Sequence, residues 1–251
     1  MAIEILSARE ITRMRRAGEA AAETLAHVGA RLAAGVTTAQ IDGWVRERTA
    51  AQGGRPSLLG YRGFPAAVCT SVNEVVCHGI PRRDVALRAG DIVNVDVTTE
   101  IDGFHGDTSD TFVIGEARPE RAKVVEVARR CLAAGIAAVR EGARMGDIGA
   151  AIEAVARGEG CGLVTEFGGH GIGRRMHMEP HVSHVGIAGR GLRLRAGMAF
   201  TIEPMVTLGD VAIRVLDDGW TVVTADGSPS AQCEHTVLVT RDGCEVLTAR
   251  A

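Results

Sequence analysis

The chain of 251 residues is almost free of lysine, since Lys123 is the only one beside 27 arginines. It contains no Gly-Lys-Ser/Thr step, which excludes a Walker-type phosphate loop. None of its six cysteines forms a Cys-x-x-Cys pair, so we expect free thiols rather than a disulfide framework. No apolar run approaches the roughly 20 residues of a membrane-spanning helix.

The chain also has no large excess of charge of either sign, because its formal net charge is only −3 at pH 7. The chain therefore lacks the basic field typical of nucleic-acid binding and the polybasic patch of a membrane-surface protein. The segment 1–7 is too short and too charged for a signal peptide. We expect a cytoplasmic protein with no nucleic-acid specificity and no membrane association.

Helical and strand patterns both occur, and together they predict an α+β fold. Ser7 followed by Glu10 predicts a capping box at the start of the first helix. Asp102-Gly103 is the signal of a two-residue hairpin turn. The predicted helices cover residues 7–32, 38–52, 119–140 and 147–158, the predicted strands 66–70, 93–98 and 104–114, and the region after 191 is mainly β.

Two segments of the chain resemble each other. Leu87–Asp96 and Leu194–Glu203 each begin with Leu-Arg-Ala-Gly and carry an acid six residues after the glycine. Short matches also arise by chance in a chain rich in Ala, Gly and Arg, so the matched acids carry the argument. We expect one domain, 1–251, built from an internal pseudo-repeat over roughly 7–114 and 119–240.

The predicted hairpin brings two acids together. With a turn at Asp102-Gly103, Thr98 pairs with Asp107, and Asp96 lies diagonal to Asp107 on the same face. Two carboxylates at that spacing repel each other unless a cation lies between them. The alternative is an edge hairpin with solvated acids.

Three further segments supply candidate metal ligands: His170 in a glycine-rich loop, Glu203 before a proline, and Glu234 at the start of the last strand. Taken alone, the segment around His170 could be a glycine-rich surface loop whose histidines have no function. His181 and His184 are expected to be such incidental histidines. Each glutamate alone could face solvent. Four converging carboxylates and one imidazole require metal, and two ions about 3.5–4 Å apart suit the set. The oxygen-rich donors favour Mn²⁺, Fe²⁺ or Co²⁺ over a thiolate zinc site.

Five motifs carry a family resemblance. They are Cys77-His78-Gly79-Ile80-Pro81, the aspartates 96 and 107, Gly169-His170-Gly171-Ile172-Gly173, Thr201-Ile202-Glu203-Pro204 and Glu234-His235-Thr236. Over about residues 4–247 the chain resembles a type I methionine aminopeptidase. The resemblance implies the pita-bread α+β fold, with two pseudo-twofold halves around a central antiparallel sheet.

The resemblance also implies the site. Asp107 and Glu234 would bridge two metal ions, Asp96 would bind one of them, and His170 and Glu203 would bind the other. Glu203 would also move protons, while His78 and His177 would contact the peptide group. The family's methionine pocket maps onto Cys69, Tyr61, Phe64, Met176 and Trp220. The departures from the family pattern are Met176, Phe64 and Met178, and they bear on substrate preference and metal affinity.

The implied activity is removal of the initiator methionine from nascent chains with a small second residue, by hydrolysis at two divalent ions. Co²⁺, Mn²⁺ or Fe²⁺ would serve, and Zn²⁺ is possible. The expected partners are nascent N-termini and the ribosome near its exit tunnel, and the expected state is a monomer. Two alternatives stay open: a proline-directed aminopeptidase or prolidase with the same ligands, and a binding protein that kept the fold without catalysis.

Overall fold

A computed structural model describes residues 3–249 of the chain. The outer limits of the predicted domain, residues 1 and 251, lie outside that range. None of the helices within it is long and apolar enough to cross a membrane.

The described part of the chain contains four α-helices, one 3₁₀ turn and fifteen strands. In chain order they are α1 (Ala8–Gly29), α2 (Thr38–Ala51), β1 (Arg55–Pro56), the 3₁₀ turn (Tyr61–Gly63), β2 (Cys69–Val72), β3 (Val75–Cys77), β4 (Ile92–Ile101), β5 (Phe104–Val113), α3 (Pro119–Ala137), α4 (Met145–Gly158), β6 (Gly162–Leu163), β7 (Gly169–Gly171), β8 (Met178–Val182), β9 (Ala199–Ile202), β10 (Met205–Thr207), β11 (Ile213–Val215), β12 (Val222–Thr224), β13 (Ser230–Gln232), β14 (Glu234–Val239) and β15 (Cys244–Val246).

The helices begin where local chemistry predicts. At the start of α1 the Glu10 carboxylate accepts the Ser7 backbone N–H at 2.8 Å, and the Ser7 hydroxyl oxygen accepts the Glu10 N–H, which confirms the capping box. Pro119 occupies the first position of α3, where a missing N–H costs nothing. The ends are less predictable, since α1 stops at Gly29 rather than at residue 32.

The hairpin of β4 and β5 has the predicted register. Asp102 and Gly103 both have positive φ angles, 53° and 77°, as a two-residue turn of this kind requires. Thr98 pairs with Asp107 as expected, and Asp96 faces Ser109. Both strands are ten residues long, so β4 extends past the predicted 93–98. The strand expected at 66–70 lies slightly later, at Cys69–Val72.

Nine strands form the main sheet, in the order β1-β4-β5-β14-β9-β7-β8, with β2 beside β4 and β15 beside β14. All of its pairings are antiparallel. Helix α1 packs on β4 and β5, and α3 packs on α4 and β13. The close approach of α1 needs Gly106, because a Cβ there would collide with the backbone of Ala17. In the strand order given above, β5 and β14 lie near the middle of the sheet.

The two halves repeat the same backbone hydrogen bonds. In the first half Gly35 N–H donates to Leu87 O at 2.8 Å, and in the second Gly142 N–H donates to Leu194 O at 3.0 Å. Gly142 and Leu194 each stand 107 residues after their counterparts. The fold is therefore the pseudo-twofold α+β arrangement expected, while the limits 7–114 and 119–240 stay a prediction.

Candidate metal centre

The five predicted metal ligands come from five segments of the main sheet. Asp96 lies in β4, Asp107 in β5, His170 in β7 and Glu234 at the start of β14, and Glu203 directly follows β9. Because β4, β5, β14, β9 and β7 are consecutive neighbours in the sheet, the ligands meet across its middle. All five line one cavity of about 250 Å³.

The distances show which donors lie closest. His170 Nε2 is 3.7 Å from Asp107 Oδ2 and 3.6 Å from Glu203 Oε1. Single donor atoms of Asp107, His170 and Glu234 all lie within 4.8 Å of one another. Such spacing allows one cation to contact several of these atoms at ordinary coordination distances.

Backbone and hydroxyl contacts orient the ligands. His170 Nδ1 lies 3.2 Å from Gly171 O, an atom that can only accept, so Nδ1 carries the proton and Nε2 presents its lone pair. The Thr201 hydroxyl donates a hydrogen bond to Glu203 Oε1 at 2.7 Å and accepts one from the backbone N–H of His170 at 2.9 Å. The Thr98 hydroxyl donates to Asp107 Oδ1 at 2.8 Å. Each of these three predicted ligands is therefore held in place by hydrogen bonds of the protein itself.

Close approach of β7 to β9 depends on a glycine. A Cβ on Gly169 would collide with the carbonyl of Thr201, so a larger residue would push His170 away from Glu203. The glycine-rich sequence around His170 thus serves strand packing, and the ligand is placed by it.

The carboxylates are costly to ionise where they lie. Burial raises the pKa of Asp96 to about 7, and burial, with the charge of Asp96, raises that of Glu203 to about 8. Burial and the neighbouring carboxylates hold the pKa values of Asp107 and Glu234 well above their ordinary range. Burial lowers the pKa of His170 to about 3, so its imidazole is neutral and able to bind metal.

This donor set fits divalent cations. Among the described residues no arginine or lysine lies within ion-pair distance of Asp96, Asp107, Glu203 or Glu234. Three buried carboxylates and the half-buried Asp96, all without a cationic partner, oppose folding unless they are protonated or bound to metal. Oxygen donors with one imidazole match hard or borderline divalent ions.

Two histidines face the same cavity. His78 has a φ of 56°, a strained backbone conformation for a residue other than glycine, and strain of this kind is concentrated at functional sites. His177 stacks on Tyr61, with ring centroids 5.1 Å apart, and its ring centroid is 4.1 Å from that of His170. Burial lowers the pKa of both rings, so both are neutral near pH 7.

The apolar wall of the cavity contains most of the predicted methionine pocket. Tyr61, Phe64, Cys69 and Trp220 line it, and Phe64 meets Trp220 edge to face at 5.1 Å. Met176 is buried but is not among the lining residues.

Sequence reasoning missed three cavity residues, Leu58, Arg62 and Thr98. Leu58 and Arg62 lie between β1 and β2, in a segment that has no recognisable motif, and Thr98 was identified only as the strand partner of Asp107. Sequence reasoning also treated His184 as incidental, whereas the structure buries this residue and places its Nε2 3.1 Å from the backbone nitrogen of Glu203. A spacing of nineteen residues along an irregular segment gave no signal of that contact.

Comparisons with known proteins agree with this geometry. The model of metallopeptidase family M24 matches residues 12–241. Methionine aminopeptidase A of Synechocystis sp. is 50% identical over 246 residues, which is 98% of this chain and 97% of that protein. The methionine aminopeptidase of Escherichia coli K12 is 45% identical over 251 residues, covering 100% of this chain and 95% of that protein.

Solved structures show the same relationship. The methionine aminopeptidase of Rickettsia prowazekii has a TM-score of 0.97 at 42% identity, with 99% of this chain and 100% of that chain covered. The prolidase of Pyrococcus furiosus has a TM-score of 0.78 at 18% identity and covers 98% of this chain, which shows a common fold.

The fold and the site together define a metallopeptidase that binds divalent metal. The chain belongs to metallopeptidase family M24 and, within it, to the type I methionine aminopeptidases.

Proposed function

We propose that the chain hydrolyses the first peptide bond of polypeptides that begin with methionine and have a small second residue. One observation carries the proposal: the ligand set, two neutral histidines and an apolar wall share a single cavity. The apolar wall suits a thioether side chain, since methionine packs well against aromatic rings and sulfur. The roles of the individual residues in this cavity belong to the proposal.

Two divalent ions are proposed, with Asp107 and Glu234 shared between them. The short distances from His170 Nε2 to Asp107 and Glu203 support a common ion for these three residues. Asp96, whose carboxyl lies within hydrogen-bonding reach of Asp107, would bind the other ion. Co²⁺, Mn²⁺ or Fe²⁺ suit these donors, and Zn²⁺ is also compatible.

The protein's own groups supply orientation and proton transfer. Bound divalent ions lower the pKa of water and polarise a peptide carbonyl. Glu203, whose Oε1 accepts the Thr201 hydroxyl at 2.7 Å and whose Oε2 lies 3.5 Å from Gln232 Nε2, would take the proton of the attacking water and pass it to the leaving amine. His78 and His177, at the cavity wall, would donate hydrogen bonds to the peptide group as charge develops on its oxygen.

Purified protein supplied with Co²⁺ or Mn²⁺ is expected to release methionine from Met-Ala-Ser and to leave Met-Lys peptides nearly intact. The rings of Tyr61, His177 and His78 crowd the cavity beside the ligands, so a long second side chain is disfavoured by about 100-fold in kcat/KM. Free methionine measured by chromatography gives the answer.

Xaa-Pro dipeptides serve as the comparison in the same assay. Equal activity on them would favour the prolidase alternative, and no release from Met-Ala-Ser would overturn the proposed activity.

The pocket wall gives a second test. Trp220→Ala removes a ring that meets Phe64 at 5.1 Å and lies 6.2 Å from the ring of His78, so KM for Met-Ala-Ser should rise by roughly 10-fold or more. Trp220→Phe keeps most of the apolar surface and should raise KM much less. An unchanged KM in Trp220→Ala would remove Trp220 from the proposed pocket.

We propose that the substrates are nascent chains at the ribosomal exit tunnel, and that the protein acts as a cytoplasmic monomer. Sedimentation of the purified protein with and without ribosomes, at low and high salt, tests the first part.

A further inference from the structure

We propose that His184 is a positioning residue for Glu203, acting through the backbone and not through contact with substrate. The inference rests on the function proposed above and extends it to a residue outside the cavity wall. His184 lies two residues after β8 and is 2% exposed. Its Nε2 accepts the backbone N–H of Glu203 at 3.1 Å.

This hydrogen bond replaces one that the sheet does not provide. β9 ends at Ile202, whose partner in β14 is His235, and no strand pairing within residues 3–249 includes Glu203. Without His184 the buried Glu203 N–H would therefore have no hydrogen-bond partner in that part of the chain. Pro204, which follows, has no N–H and restricts the chain on the other side of Glu203.

The imidazole is unsatisfied on its other side. Since Nε2 accepts, the ring proton lies on Nδ1, and the buried Nδ1 has no hydrogen-bond partner among the described residues. A buried donor left unpaired opposes folding, and an apolar side chain would avoid that cost. The hydrogen bond that Nε2 accepts from Glu203 is thus what compensates for the cost of burying the unpaired Nδ1–H of His184.

Positioning follows because Glu203 is held at two points. His184 fixes its backbone nitrogen, and the Thr201 hydroxyl fixes Oε1 at 2.7 Å. The same hydroxyl accepts a hydrogen bond from the backbone N–H of His170. A continuous series of hydrogen bonds therefore connects His184 with His170 through Glu203 and Thr201. Loss of the hydrogen bond between the Glu203 backbone and His184 would let the Glu203 carboxylate shift. A shift of about 1 Å in a reacting group lowers the rate by about 100-fold.

Two variants separate the acceptor from the bulk of the side chain. His184→Leu removes the acceptor, and His184→Gln keeps one, since its amide oxygen can accept the Glu203 N–H. The measurements are kcat and KM on Met-Ala-Ser, the visible absorption spectrum of the Co²⁺-loaded protein, and the Tm of the metal-free protein. His181→Gln, at an exposed histidine three residues earlier, is the matched control.

For His184→Leu we expect kcat to fall by about 10–100-fold with KM within about twofold, together with a changed Co²⁺ spectrum. Its Tm should stay within a few degrees, because the leucine removes the unpaired Nδ1–H and leaves the Glu203 N–H unpaired instead. His184→Gln should recover kcat to within about threefold and restore the spectrum. His181→Gln should match the unmodified protein.

Unchanged kcat and Co²⁺ spectrum in His184→Leu would overturn the proposal. Equal losses of kcat and Tm in both His184 variants would also overturn it, since that result indicates a packing role alone. If the unmodified protein releases no methionine but the Co²⁺ spectrum still changes in His184→Leu and recovers in His184→Gln, the proposed function fails and the positioning role stands.

Discussion

Asp107→Asn is expected to abolish methionine release and metal binding while raising the Tm of the metal-free protein. Activity should fall by at least about 1,000-fold, because Asp107 is the proposed bridge between the two ions and lies 3.7 Å from His170 Nε2. Stability should change in the opposite direction. The pKa of Asp107 is held high by burial and by the charges of Asp96 and Glu203, so folding is opposed whether this carboxyl is ionised or takes up a proton, and a neutral amide removes that cost.

The measurements are kcat/KM on Met-Ala-Ser, metal content by elemental analysis, and thermal unfolding in the presence of a chelator. Asp110→Asn is the matched control, since Asp110 lies in the same strand, three residues later, and pairs with Arg129 at 3.3 Å instead of the ligands. A variant Asp107→Asn that kept its full metal content would contradict the bridging role. Asp107→Ala should lose metal and activity in the same way.

Removal of metal is expected to make stability fall as pH rises from 7 to 8.5. A carboxyl whose pKa is higher in the folded than in the unfolded chain binds more protons when folded. Its penalty is absent below the unfolded pKa and grows until the pH passes the folded pKa. The penalty is therefore nearly complete at pH 7 for Asp96, whose folded pKa is about 7, and is still growing up to about pH 8 for Glu203. In the unfolded chain these carboxyls are already ionised at pH 7. The growing cost of ionisation therefore falls on the folded state, and the metal-free protein loses stability as the pH rises.

The size follows from the number of groups. Each pKa unit crossed by one carboxyl contributes about 1.4 kcal/mol, and for a chain of this length 1 kcal/mol shifts Tm by about 2–4 °C. Within this window Glu203 passes about one pKa unit before it is ionised and Asp96 almost none, so we expect the Tm of the metal-free protein to drop by about 3–6 °C. The buried histidines do not reverse the sign, because His170, with its pKa lowered to about 3, is neutral throughout the window and an unfolded histidine nearly so.

Scanning calorimetry at the two pH values, with Mn²⁺ or with chelator, tests this expectation. The metal-loaded protein should show a flat or opposite trend, because the ions bind the ionised carboxylates. Glu203→Gln should reduce the slope of the metal-free protein. A metal-free Tm that is equal or higher at pH 8.5 would show that the carboxylates ionise without mutual repulsion.

Short-range patterns in the sequence were enough for several elements. The capping box of Ser7 and Glu10 and the turn at Asp102-Gly103 depend on contacts between residues within a few positions, and the structure confirms both. A two-residue turn also fixes the register of its strands, so the closeness of Asp96 and Asp107 could be worked out from the sequence. The family motifs supplied the other ligands by resemblance.

The sequence alone determined the fold class and the reaction class and predicted the ligand residues, because these depend on local pattern and on motifs in a fixed order. Only the tertiary structure decided what surrounds the ligands. It placed β14 between β5 and β9, added Leu58 and Arg62 to the cavity, left Met176 outside it, and brought His184 to the Glu203 backbone. Those contacts join residues from separate loops and strands, and their positions depend on the packing of the whole chain rather than on any neighbouring pattern.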